Sequence, residues 1–167
     1  MITLIAIDPG TSESAIVAMS GREILAFAKE PNDSVLGRLD FHRLNSDANT
    51  MLAVEMVGSY GMAVGAEVFE TCLWIGRFLE RWRGRHRLVK RHEVKSHLCG
   101  SQRAKDSNIR AALLEKYGGK AKAIGGRESR GPLHGITGDC WSALAVAITY
   151  IERGDVEVGS GVIGRLT

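Results

Sequence analysis

Cysteine is scarce in this sequence: three residues in 167, at Cys72, Cys99 and Cys140. An odd number, widely separated and without Cys-x-x-Cys or Cys/His ligand spacing, excludes a disulfide framework or a zinc site as the organising element. Buried or free thiols in a reducing compartment are the reading that remains. Long apolar runs are also missing. None reaches the length of a membrane span, and the N-terminus carries no basic segment followed by a signal-type apolar stretch. The cytoplasm is therefore the expected location, with no membrane partner. There is no internal repeat and no low-complexity linker. At 44% apolar and 25% charged residues, the chain reads as a single domain over residues 1–167 with one sizeable core.

Acidic residues are scarce locally. The net charge is only +3, yet Arg81, Arg83, Arg85, Arg87, Lys90, Arg91 and Lys95 are opposed by a single acid, Glu93. In a second run, Lys120, Lys122, Arg127 and Arg130 are opposed only by Glu128. A solvated surface would account for either cluster alone. Two in one small chain point to a phosphate backbone.

What is present is a succession of strand and helix signals. Ile2–Ile7, apolar except for Thr3, predicts a central strand buried on both faces. Glu13–Met19 and Ile24–Ala28, joined by a turn containing Gly21, complete an antiparallel meander of three strands. Asn32, Asp33 and Ser34 are placed to cap a short helix around Val35–Leu39. A polar loop from Arg43 to Thr50 then leads to a fourth strand, Met51–Val57. Ala66–Trp82 predicts a helix with one apolar stripe of Val68, Cys72, Ile75, Leu79 and Trp82. Phe69, Leu73, Trp74 and Phe78 lie off that stripe, so this helix is either deeply buried or shared with a second subunit. After it come a short fifth strand (Arg87–Arg91) and a helix capped by Asp106 or Ser107 and ended by Gly118-Gly119. A flexible glycine-rich loop (Lys120–Pro132) and an alanine-rich helix (Asp139–Ile151) close the series. The order βββ-α-β-α-β-α-α predicts a mixed α/β sheet.

Three carboxylates stand out against this background. Asp8 ends the first strand ahead of Pro9-Gly10. It can cap that turn by accepting from the Gly10 or Thr11 amide, or ligate a metal if carboxylate partners arrive from elsewhere. Glu55 is the one acid in "MLAVEMV". A buried carboxylate needs a compensating partner, either an arginine or a metal. Asp139 opens the last helix, where a plain N-cap is the simplest role. A central strand, an adjacent strand and a helix packed on the sheet can bring all three to one edge. Such a cluster repels itself unless divalent cations neutralise it. Hard oxygen ligands suit Mg²⁺ or Mn²⁺, and two such ions activate water and stabilise the leaving oxygen in phosphodiester cleavage.

The blocks "IAIDPG", "AVEMV", "EVKSHLCGSQRAKDSNIRAALLEKYG" and "DCWSALAVAITY" resemble the RuvC family of Holliday-junction resolvases, and its small phage-encoded members in particular, in the same order from about Ile2 to Tyr150. The resemblance implies a ribonuclease H-like fold: a mixed sheet of three antiparallel and then two parallel strands, with helices on both faces. It also implies a homodimer, Mg²⁺ with Mn²⁺ able to substitute at two ions per site, and paired symmetric nicks in a four-way DNA junction during recombination or repair. It matches Asp8, Glu55 and Asp139 to the acidic site. Lys95 and Lys105 match basic positions near the scissile phosphate, where a lysine stabilises developing charge. Arg103, in the same block, and the run Lys120, Lys122, Arg127 and Arg130 are then DNA contacts. Tyr60 follows the Glu55 strand, where the family places an aromatic that stacks on bases, worth about 1–3 kcal/mol per base.

The sequence departs from that pattern in the last helix. Many relatives carry two functional residues three apart with a carboxylate second, and here the pair is Asp139 and Ser142. Asp139 with waters can complete the metal pair, His134 can supply a proton-transfer group, or the second metal can bind weakly; the first is preferred. "DPGTS" also resembles the phosphate loop of sugar kinases and actin-like ATPases. Those need two such domains around a nucleotide, so no nucleotide cofactor is expected. A DNA-binding module without activity would gain nothing from three carboxylates held against phosphates. A less selective nuclease for flaps and branched DNA stays open.

Overall fold

The computed structural model describes residues 3–45, 49–58, 61 and 63–154. The apolar strands alternate their side chains between two cores. From β1 (Leu4–Asp8), Leu4 and Ala6 enter one core, whereas Ile5 and Ile7 enter the other. The same division runs through β2 (Glu13–Ser20), which pairs antiparallel with β1 and with β3 (Glu23–Pro31). It continues in β4 (Met51–Met56), parallel to β1, and β5 (His86–Lys90), parallel to β4. The strand order is β3-β2-β1-β4-β5. A central strand that is apolar throughout is what burial on both faces demands.

Helices cover both faces. On one side α1 (Asn32–Asn45) and α2 (Ala66–Trp82) bury Val35, Leu36, Leu39, Ile75, Phe78 and Trp82 against Ile5, Ile7, Leu52 and Val54. On the other, α6 (Cys140–Arg153) lies across β1, β2 and β4. Its Ala143, Ala145 and Ala147 are fully buried, so the helix sits close to the sheet. Around it pack α3 (Arg91–Cys99), α4 (Asp106–Lys116) and α5 (Lys120–Ile124).

Several elements differ from the sequence expectation. Helix α1 runs on to Asn45, taking in the start of the expected polar loop; Asp40 pairs with both Arg43 and Arg81, and Asn45 Nδ2 donates to the Phe41 carbonyl at 2.7 Å. Helix α2 has the expected bounds but buries Thr71, Ile75, Phe78 and Trp82. Phe69 and Leu73 are left 64% and 65% exposed. A second stripe with the same four-three-four spacing therefore faces the sheet. Helix α3 was not expected, because only Val94 and Leu98 are buried along it. Lys105, not Asp106 or Ser107, is the N-cap of α4, its amide donating to Asn108 Oδ1 at 2.9 Å.

The stretch Lys120–Pro132, expected to be a flexible loop, holds α5 and an antiparallel bridge between Gly125 and Arg130, and Ala123 is fully buried. Two of its glycines, Gly125 and Gly131, serve close packing. A Cβ on Gly131 would stand 2.2 Å from the Lys122 carbonyl oxygen, so no other residue fits there.

The turn after Asp8 is pinned from within. Asn32, 2% exposed, donates from Nδ2 to the Gly10 carbonyl at 3.0 Å and accepts from Ser14 Oγ at 2.6 Å. The Gly10 amide donates to that same Ser14 Oγ at 3.2 Å. Asn32→Ala strands the buried Ser14 hydroxyl and the half-buried Gly10 carbonyl, which costs about 1–3 kcal/mol. A chemical denaturation curve is expected to show a loss of that size at unchanged slope, and an unchanged midpoint would exclude the network as a support of this turn.

Candidate active site

Strand register puts the acids together. In the parallel β1–β4 ladder Ile7 lies opposite Val54, so the next step sets Asp8 beside Glu55. Asp8 also lies opposite Ala15 on β2, Ala15 opposite Lys29 on β3, and Glu55 opposite Val89 on β5. Val89, Glu55, Asp8, Ala15 and Lys29 thus form one row across the sheet, and cross-strand neighbours share a face. That face is the one under α6, where Ala15 and Val89 join the core. Asp139 is the N-cap of α6 above the row. The C-terminal ends of parallel strands are where open α/β sheets place ligands.

Asp8 is not a turn cap for Gly10, whose amide is taken by Ser14. Its carboxyl is pushed up to about 7, first by burial and then by the charges of Glu55 and Asp139. Arg91 and a hydrogen bond from the Ser142 hydroxyl pull the other way. Glu55, 9% exposed, is raised by burial and restrained by Arg91, whose Nη1 lies 3.3 Å from its Oε2. Arg91 Nη2 pairs with Asp106 at the first turn of α4. Asp139 Oδ2 lies 2.9 Å from Lys29 Nζ, and that contact raises the lysine. Of the two compensations the sequence leaves open for Glu55, an arginine or a metal, the arginine is present as Arg91.

The predicted basic residues divide into two groups. Lys95, on α3, is half-buried and its charge reaches Glu55. Lys105 is exposed at the start of α4, and Arg103 is exposed in the turn before it. Lys120 and Lys122 on α5, with Arg127 and Arg130 around the bridge, are all exposed and form no ion pair among the described residues. The run from Arg81 to Lys95 is less available than the sequence implied. Arg81 pairs with Asp40, Arg83 with Glu80, Arg87 with Glu93, and Arg91 with Glu55 and Asp106. His134 is exposed, with Nδ1 3.2 Å from the Ile124 carbonyl oxygen. Tyr60 lies outside the described residues.

Sequence reasoning missed Arg91 and Lys29 as members of the site. Arg91 was one cation among seven, with nothing local to single it out. Lys29 reaches the acids only through β2, and no spacing along the chain encodes that. Among the described residues no helix is long and apolar enough to cross a membrane.

A five-stranded mixed sheet of this order, with helices on both faces, is the ribonuclease H-like fold seen in RuvC. The chain resembles the Thermus thermophilus RuvC structure at a TM-score of 0.62 and 18% identity, over 92% of this chain and 97% of that one. It resembles T. thermophilus RuvC in complex with Holliday junction substrate at a TM-score of 0.55 and 15% identity, over 92% and 95%. No family model and no curated protein matches the sequence.

Asp8 makes a pH-dependent contribution to stability. Its folded-state value of about 7 lies above the ordinary 3.8, so the folded state binds the extra proton and stability falls as pH rises from about 4 through 7. Asp8→Asn, neutral and of similar size, is expected to melt at least about 3 °C higher than the parent near pH 8 in EDTA, since 1 kcal/mol moves Tm by roughly 2–4 °C in a chain this long. The gain disappears near pH 4. Equal melting temperatures at the higher pH would show that Asp8 carries no such penalty.

Proposed function

We propose that this chain is a metal-dependent endodeoxyribonuclease that resolves four-way DNA junctions by paired symmetric nicks. The observation that carries the reading is the meeting of Asp8, Glu55 and Asp139 at one end of the sheet, with Asp8 driven toward neutrality by burial and then by the charges of the other two. Charge assembled at such cost is a signature of function. A solved structure of the same fold is a complex with a Holliday junction, which supports the choice of substrate.

The donor set fits Mg²⁺ or Mn²⁺. Among the described residues no three His, Cys, Asp or Glu side chains already close into a metal cage. Mg²⁺ does not require one, because it keeps several waters and takes one or two carboxylates. Asp8, Glu55 and Asp139 would hold up to two such ions, which when bound would polarise the scissile phosphate and activate the attacking water. Ser142 orients Asp8 by its donated hydrogen bond, where many relatives carry a further carboxylate. Lys95, whose charge reaches Glu55, and Lys105 at the start of α4 would receive the scissile phosphate. Arg103, Lys120, Lys122, Arg127 and Arg130 would contact the backbone on either side, and Tyr60 would stack on a base. His134, exposed and with Nδ1 3.2 Å from the Ile124 carbonyl oxygen, is read as an ordinary loop residue and not as the proton-transfer group.

A gel comparing a four-way junction with linear duplex of the same sequence, in Mg²⁺ or EDTA, tests the reading. Asp8→Asn, Glu55→Gln and Asp139→Asn are each expected to abolish cleavage while keeping junction binding, because each removes a metal ligand and no phosphate contact. Near-parental cleavage by any one of them removes that residue from the site. Equal cleavage of linear duplex removes the selectivity for junctions.

Two equivalent scissile phosphates call for two sites related by two-fold symmetry. The exposed Phe69 and Leu73 on α2 make that helix the proposed homodimer interface. Light scattering is expected to give twice the chain mass at micromolar concentration, and Phe69→Asp/Leu73→Asp to give the single mass. A parent that scatters as one chain would rule the dimer out.

A further inference from the structure

Two cations of the chain reach into the acidic cluster, and the function proposed above uses neither. Arg91 divides its guanidinium between Glu55 and Asp106. The Glu55 end of this bridge is buried, with the glutamate side chain 11% exposed, whereas the Asp106 side chain is 80% exposed. Lys29 enters from the opposite end of the row, 2.9 Å from Asp139 and 3.8 Å from Glu13. Asp8, between them, feels the charge of both. Two of the three proposed metal ligands are therefore each joined to a cation already built into the fold.

We infer that Arg91 and Lys29 are resident counter-cations that a divalent metal must displace from Glu55 and Asp139, and that Asp106 is the anchor to which Arg91 retreats. The inference rests on the metal reading above. Its physical basis is competition. A guanidinium and a divalent ion sharing the same carboxylate oxygens repel each other, and in a partly buried site one unit charge at close range outweighs solvent screening. The forked guanidinium already touches both acids, so it can leave Glu55 without losing every partner. Metal affinity then depends on three residues that ligate nothing. Removing Arg91 or Lys29 frees a ligand, and removing Asp106 leaves the displaced arginine no second anchor.

Calorimetric titration of Mn²⁺ into the full chain, without DNA, reads this directly. Arg91→Gln is expected to bind Mn²⁺ about tenfold tighter than the parent or more, the scale of one close unit charge. Lys29→Gln moves the same way by a smaller factor, since Lys29 is exposed. Asp106→Asn binds more weakly than the parent. In the Arg91→Gln/Asp106→Asn double variant that weakening vanishes, whereas a general loss of negative charge would carry it through unchanged. Melting in EDTA establishes that Arg91→Gln is folded, and Lys29, at the surface, carries the test independently. Parent-like affinity in Lys29→Gln together with parent-like or weaker affinity in Arg91→Gln overturns the inference, as does an Asp106→Asn effect that persists in the double variant. The metal reading itself fails on a separate arm, if Asp8→Asn binds Mn²⁺ as the parent does.

Discussion

The parallel pairing of β1 with β4 sets Asp8 beside Glu55, and the arrangement of the rest of the molecule depends on that ladder. Because β1 is central, its last residue is flanked by β2 on one side and β4 on the other, and both neighbours extend the row outward. Because side chains alternate, the same register that buries Leu4 and Ala6 under α6 also directs Asp8 and Glu55 to that face. The alanines of α6 then let its N-terminus, with Asp139, come down over the pair. Packing and site are two results of one hydrogen-bond register.

Placing acids there works against folding. Burial alone disfavours ionised Asp8 and Glu55, and their mutual repulsion adds to it. The fold offsets this with cations drawn from distant parts of the chain, β3 through Lys29 and α3 through Arg91. The network of Asn32, Ser14 and Gly10 fixes the turn behind Asp8. Glu152, at the far end of α6, holds Arg22, His97 and Lys116 at once and ties that helix to α3, α4 and the β2–β3 turn. The strain lies at one end of the sheet and the reinforcement lies around it, as expected where a site is bought with stability.

How far the sequence could be read follows from what each signal encodes. Strands β1 and β4 were legible because a run buried on both faces is apolar at every position, and a lone acid at its end or within it stands out. The bounds of α2 were legible too. Its buried face was not, because Val68–Cys72–Ile75 and Thr71–Ile75–Phe78 share helical spacing and only the docking partner chooses between them. Helix α3, with two buried residues, has too little periodicity to detect. Glycines in 118–131 read as flexibility, although Gly131 is there for close approach of the backbone. The acids of the candidate site could be picked out one by one, but their neutralising partners could not. Lys29 joins Asp139 across two strand pairings, and Arg91 joins Glu55 across a helical crossover, and neither leaves a trace in linear spacing.

The row that crosses all five strands also determines which changes of length this chain can tolerate. One residue inserted into β1 or β4 ahead of the acid would turn its carboxylate to the α1 side, into a core of isoleucine and phenylalanine. Two residues would restore the face but carry the acid about 6.6 Å along the strand, past its neighbours. Lengthening the β2–β3 turn at Gly21 or the segment between α3 and α4 disturbs neither register. Descent within such a fold is therefore expected to conserve strand length up to each carboxylate while loops drift freely, so that chains of very different sequence keep the acidic row in place.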